Sequence, residues 1–262
     1  MHGFDRTHFV CMQPSDISGG SPAGETSKAL SSEETDKSFD LKSALGEAKK
    51  YWAEKYRIAQ ENMKEQSEKY GAVLIEVASQ HPLLHGREPN TEFRKRLDKA
   101  IELYREWTAQ GVDVCIYVPG SRHKYEGVAD DISLSEAGCA YLRSEGIPEN
   151  VLFGIERNAR YKGEDGVYNS ADECYVASRI FFDGAFSKLV CVCSPNQIMR
   201  KTMFYIEFGC FPVCYGVTTE NMYHANVVEE IFTGLNTVLY FDHSWQDKST
   251  AFYESFRKER KP

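Results

Sequence analysis

Glu136 stands three residues after Ser133, Gln197 three after Ser194, and Asp172 three after Asn169. Each pair follows an apolar run and opens a helical pattern. The spacing suits a capping box, in which paired side chains satisfy helix N–H groups, and Pro195 fits the first helical position. The same positions also offer unpaired N–H groups and the positive end of a helix dipole, which attract anions. Either role fits each pair taken singly. Arg122 follows a strand-like run, and Arg200 lies three residues after Gln197 on one helical face. With Ser121 and Ser170 beside them, these groups describe a pocket for a phosphate or carboxylate. A surface salt bridge is the alternative for each arginine.

Glu136 and Glu156 are the candidate proton-handling residues, because paired carboxylates can divide acid and base roles. Asp130 and Asp131 belong to the same rim, as ligands for a hard cation or as solvated loop acids. His123 titrates near neutrality but sits in the charged stretch SRHKYEGVADD, where an exposed imidazole is the plainer expectation. The segment 157–168 carries two glycines and many charges and reads as a rim or lid. No nucleophile elbow, P-loop or G-x-G-x-x-G occurs. The first strand-like run ends in VASQHP, so a dinucleotide held in the usual way is not expected. With no C-x-x-C and no zinc-ligand spacing, no metal site is expected.

These residues need elements to position them, and the chain supplies them by alternation. AVLIEVA (72–78), VDVCIYV (112–118), VLFG (151–154), KLVCVC (188–193) and FPVCYGV (211–217) read as buried strands. Helical patterns cover 91–111, 133–146, 169–184 and 195–209, with Gly111 and Gly146 as stops. A further helix is expected near 222–234, a strand at 237–241 and a terminal helix near 246–259. Alternation with near-continuous apolar strands predicts an α/β fold with a mostly parallel sheet covered on both faces. Ligands then bind outside the carboxyl ends of the strands. Ahead of this lies a long helix, 41–70, with Leu41, Leu45, Ala48, Trp52, Tyr56, Ala59 and Met63 in one stripe. That stripe packs on the following domain, or else pairs two chains as a homodimer. Residues 1–40 are too polar to order themselves and read as a flexible arm. Residues 71–262 form a single domain.

The formal charge of −8 argues against nucleic acid or an anionic membrane as partner. The basic runs RKRLDK (94–99) and RKERK (257–261) read as solvated faces. Eight cysteines, several inside apolar runs, read as reduced thiols of a cytoplasmic protein. No apolar run reaches membrane-spanning length, and no secretory leader pattern is present.

In this order, FRKRLDKAIELY (93–104), PGSRH (119–123), LSEAGCAYLRSEGIPENVLF (134–153), Glu156, YNSADE (168–173) and SPNQIMR (194–200) resemble the SanA/YdcF/ElyC-like domain family. The resemblance covers about 72–217. It implies a three-layer αβα Rossmann-like fold and a polar pocket containing Arg96, Ser121, Ser135, Glu136, Glu156, Asn169, Ser194 and Arg200. Pro119-Gly120-Ser121 stands at the family's Gly-Gly turn, and Gln197 at its histidine, so proton transfer by that histidine cannot be repeated here. S-adenosylmethionine is the ligand the resemblance implies. Two functions follow as expectations. One is a hydrolase or transferase acting on an anionic, phosphorylated or nucleotide-like small molecule. The other is a non-catalytic binder of S-adenosylmethionine or a related ligand.

Overall fold

The computed structural model describes residues 41–122, 124–125, 128–155, 167 and 170–217. The expected arm over 1–40, the elements expected beyond 217, His123, Glu156, Asn169 and most of the 157–168 rim lie outside the described residues. The chain divides into two units after Leu41, and the sheet with its helices belongs to the second, Lys42–Pro262.

Five parallel strands form the sheet: β1 (Ala72–Val77), β2 (Val114–Pro119), β5 (Leu152–Ile155), β6 (Phe186–Cys193) and β7 (Val213–Gly216), in the order β5-β2-β1-β6-β7. Between β2 and β5, β3 (Lys124–Tyr125) and β4 (Val128–Ala129) make a small antiparallel ribbon. The sequence reads there as loop, because two-residue strands carry too little alternation to show a period. The helices are α1 (Leu41–Lys69), α2 (Thr91–Ala109), α3 (Leu134–Ser144), α4 (Ser170–Asp183) and α5 (Ile198–Glu207). The helix expected from 195 begins as a 3-10 turn over Pro195–Gln197.

The alternation of β1 divides the core into two layers. Val73, Ile75 and Val77 face α2 and α3, with Phe93, Leu97, Leu134 and Leu142. Leu74 and Ala78 face α4 and α5, with Phe181, Phe186 and Tyr205. Helices therefore cover both faces, as the continuous apolar strands require. Fully burying each such side chain contributes roughly 1.5–3 kcal/mol. α3 comes close to β2 only because position 138 is glycine: a Cβ there would lie 2.6 Å from Val118 Cγ1.

Local chemistry sets the helix limits. Asn90 Oδ1 accepts the Phe93 N–H at 2.9 Å at the start of α2, and Gly111, at φ +79°, follows its end. Ser133 Oγ accepts the Glu136 N–H at 3.0 Å and caps α3, the serine half of the expected pair.

α1 docks on its own domain from Tyr51 onward, where the Tyr51 hydroxyl donates to the Glu207 carboxylate. Ala59 is fully buried, and Met63 packs on the α4/α5 layer. Asn62 Nδ2 donates to Gly209 O at 3.0 Å, Lys55 pairs with Glu207 at 3.0 Å, and Tyr56 meets Phe211 edge-on at 5.3 Å. Leu45, nearer the start, remains 48% exposed. Among the described residues, no helix is long and apolar enough to cross a membrane.

Candidate functional site

The strand order fixes where the site lies. From β1 the chain moves outward through β2 to β5, then returns to β6 on the other side and continues to β7. The reversal falls between β1 and β6. Outside the carboxyl ends of those two strands lies the crevice where open α/β sheets bind ligands. Ser79 follows the end of β1 and Ser194 follows β6. Both are held by polar networks that approach from opposite faces of the sheet.

On the α2 face the network centres on Arg96, which is fully buried. One guanidinium nitrogen donates to Ala78 O at 2.9 Å and Ser79 O at 3.1 Å. The other donates to Ser194 Oγ at 2.6 Å, to Gln80 Oε1 at 3.2 Å and to the Glu92 carboxylate. Ser194 in turn donates to Glu92. The basic run 94–99 is therefore not uniformly solvated. Arg96 shares the inward stripe of Phe93, Leu97 and Ala100, whereas Lys95 is exposed. With Arg96 enclosed and engaged, its place in the site is to clamp both strand ends.

On the α4/α5 face lies a buried ionic cluster. Lys201 Nζ donates to Glu76 and, at 2.7 Å, to Glu173 Oε2. Tyr205 Oη donates to Glu76 Oε2 at 2.7 Å. Ser79 gives Glu173 Oε1 two hydrogen bonds, from Oγ at 2.7 Å and from N at 3.2 Å. Glu76 and Lys201 are fully buried and Glu173 nearly so. Burial pushes the Glu173 carboxyl up, but the Lys201 ammonium and the Ser79 donors outweigh it and leave the group below its ordinary value. Burial pulls the Lys201 ammonium down, yet Glu173 and Glu76 together hold it well above the ordinary lysine value. Tyr117 pairs in register with Glu76. Its buried hydroxyl has no hydrogen-bond partner among the described residues. Burial first, then the carboxylates of Glu173 and Glu76, push it well above the ordinary tyrosine value.

The other sequence-predicted residues fall into three groups. Gly120, at φ +124°, lies against Ser79 and α3: a Cβ there would stand 2.7 Å from Leu134 Cβ and 2.9 Å from Ser79 Oγ. Its carbonyl accepts the Ser135 N–H at 2.9 Å. Ser135 is buried with its hydroxyl toward Gly154. Ser121 is also buried and brackets Val167, accepting its N–H at 2.9 Å and donating its own N–H to Val167 O at 2.9 Å. The second group is Arg200 and Ser170, joined at 3.2 Å where α4 and α5 begin. The third comprises Arg122 and Glu136, both exposed. Ser194 caps no helix with its side chain, so the expected Ser194–Gln197 box does not form. Its hydroxyl goes to Arg96 and Glu92 instead. The side-chain oxygens of Asn196 and Gln197 have no hydrogen-bond partner among the described residues. Asp130 and Asp131 fasten the 83–88 segment: Asp130 accepts Leu83 N–H at 3.0 Å, and Asp131 pairs with Arg87 at 2.8 Å.

Ser79 links these groups, because it touches Arg96 through its carbonyl, Glu173 through its hydroxyl and Gly120 by packing. Neither Ser79 nor Glu76, Lys201, Tyr205 or Glu92 belongs to a motif or spacing that marks it in the sequence. Glu76 did leave a signal, a carboxylate inside an otherwise apolar strand, which must find a partner when buried. Among the described residues, no group of three His, Cys, Asp or Glu is placed to hold a metal ion. No protein-family model, curated protein or solved structure matches this chain.

Proposed function

We propose that this protein is a small-molecule enzyme, a hydrolase or transferase, acting on an anionic, phosphorylated or nucleotide-like substrate at the carboxyl ends of β1, β2 and β6. The observation that carries the reading is the coincidence of the strand-order reversal with Ser79, Ser194 and the Arg200–Ser170 pair. In the turn at 195–197 Pro195 has no N–H and the Gln197 N–H is given to Ser194 O at 2.9 Å, so an anion here is held chiefly by side chains. Arg200 supplies positive charge beside it. Glu136, exposed at the first turn of α3, and Glu156 handle protons. The resemblance to the SanA/YdcF/ElyC-like family belongs to this proposal, as does residence in the cytoplasm, which the seven free thiols among the described residues support.

A second reading, capture of S-adenosylmethionine or a related ligand without chemistry, is favoured by one observation. The carboxylates at the strand ends are already matched to cations, the buried Glu76 and Glu173 to Lys201 and the partly exposed Glu92 to Arg96. Pairing of two copies through α1, where Leu45 stays exposed, fits either reading.

The test is a panel of p-nitrophenyl phosphate, nucleotides, sugar phosphates and S-adenosylmethionine, followed by calorimetry and product analysis. Under the enzyme reading a ligand is converted, Glu136→Gln abolishes conversion with the fold intact, and Arg200→Ala weakens binding by about 1.5–3 kcal/mol. A ligand that binds and is recovered unaltered selects the second reading. Turnover unchanged in Glu136→Gln removes that residue's role.

A further inference from the structure

Six of the seven described cysteines lie in one layer. Cys115, Cys174, Cys191, Cys193, Cys210 and Cys214 all pack on the α4/α5 side of the sheet. Two of them share a register. Cys191 on β6 pairs with Cys214 on β7, in the same lateral row as Glu76 and Tyr117. Neighbouring strands stand about 4.8 Å apart, and a disulfide spans Cα separations of roughly 4.4–6.8 Å. Cys193 pairs with Gly216 instead, so Cys191 is the thiol placed opposite Cys214.

We propose that Cys214 and Cys191 form a peroxide-responsive thiol pair, with Cys214 the attacking sulfur and Cys191 the resolving one. Their burial divides the roles. Cys191 is fully enclosed, whereas Cys214 is half-buried on β7. Thr202 Oγ1 lies 3.5 Å from Cys214 Sγ, a hydroxyl able to donate to a thiolate. The hydrogen bond with Cys191 does most to hold the Cys214 thiol down to about 7, against burial, with Thr202 and the Lys201 ammonium adding to it and Glu76 opposing. The Cys191 thiol moves the other way, well up, through burial and its bonds to Cys193 and Cys214. Accessible, low-pKa cysteines poised beside a second thiol are the ones that oxidise reversibly.

The chemistry balances in two steps. The Cys214 thiolate attacks the outer oxygen of a hydroperoxide; an S–O bond forms, the O–O bond breaks, and the departing alkoxide or hydroxide takes a proton to leave as alcohol or water. The Cys191 sulfur then attacks the Cys214 sulfenic sulfur; an S–S bond forms, and the sulfenic oxygen leaves as water with the Cys191 proton. The two thiols lose two electrons and the peroxide gains them.

The full chain is exposed to substoichiometric hydrogen peroxide, with and without dimedone to trap sulfenic acid. It is then digested without reduction and sequenced by mass spectrometry. A Cys191–Cys214 link that thiol reductant reverses is the expected product. In Cys191→Ser the dimedone adduct at Cys214 rises several-fold, because nothing resolves it; in Cys214→Ser the link and the adduct both disappear. Oxidation falling first on another cysteine, or a Cys214 adduct unchanged in Cys191→Ser, overturns the proposal. The disulfide map of the unaltered chain decides the matter should either variant fail to fold.

Discussion

Replacing Lys201 with methionine removes the one cation that both Glu76 and Glu173 contact while keeping much of its volume. Both carboxylates lie in the interior with side-chain exposures of 0% and 9%. Breaking a buried pair by deleting one partner costs about 3–5 kcal/mol, because the surviving charge is left uncompensated. Here two anions lose the same partner. The Tyr205 and Ser79 hydrogen bonds remain and keep the loss near one such penalty rather than two. Against a total stability of about 5–15 kcal/mol, Lys201→Met is expected near the edge of unfolding at neutral pH. Urea denaturation followed by far-ultraviolet circular dichroism reads the shift in midpoint at constant slope. The loss should shrink toward pH 5, since burial of the Glu173 carboxyl is then no longer opposed by the ammonium and protonation relieves it. The triple change Glu76→Gln, Glu173→Gln, Lys201→Met should recover most of the stability, as whole-cluster replacement is often neutral or better. A loss under about 1 kcal/mol for the single variant, the scale of an exposed pair, refutes the buried cluster.

Stability should show a plateau with pH. Glu173 lies below its ordinary 4.5 when folded, so its contribution is complete above that pH and fades as pH falls through the folded value. Lys201 and Tyr205 lie above their ordinary 10.5 and 10.0; their contribution is complete below about pH 10 and is lost as pH rises through the folded values. Thermal unfolding across pH 3–11 checks both limbs, and Glu173→Gln should flatten the acid one. Gly138→Ala should cost about 1–3 kcal/mol through overpacking against Val118 and Phe93; a stability equal to the unaltered chain would contradict the close α3–β2 approach. Ser133→Ala should cost about 1 kcal/mol through loss of the α3 cap, read from the same urea titration.

Much of the scaffold is legible because one signal dominates each element. Continuous apolar runs mark β1, β2 and β6, and Phe93, Leu97, Ala100 and Ile101 recur on α2 at the helical period. The strand order is not legible, because nothing in β6 names β1 as its neighbour; that depends on long-range pairing. The cluster under the crevice is hidden for the same reason. Glu76, Glu173 and Lys201 are separated by 28 and 125 positions from one another along their contacts, and each reads locally as an ordinary helix or strand residue. Only the resemblance puts Arg96 in the pocket; its burial follows from the α2 stripe, which divides the run RKRLDK into inner and outer faces. Ser194 shows the limit of a short spacing rule. Its S-x-x-Q pattern predicts a cap, but a buried guanidinium within reach makes a stronger, charge-assisted partner.

The most direct test of the strand-end crevice is native mass spectrometry of the full chain with inorganic phosphate, nucleotides, sugar phosphates and S-adenosylmethionine offered in turn. A single anionic or adenosyl adduct should persist on the unaltered protein, vanish in the double variant Ser194→Ala, Arg200→Ala, and survive in Arg105→Ala, an exposed residue near the C-terminal end of α2 that donates to Glu145 O. No adduct from any of these compounds, or one that the double variant retains in full, would contradict the account.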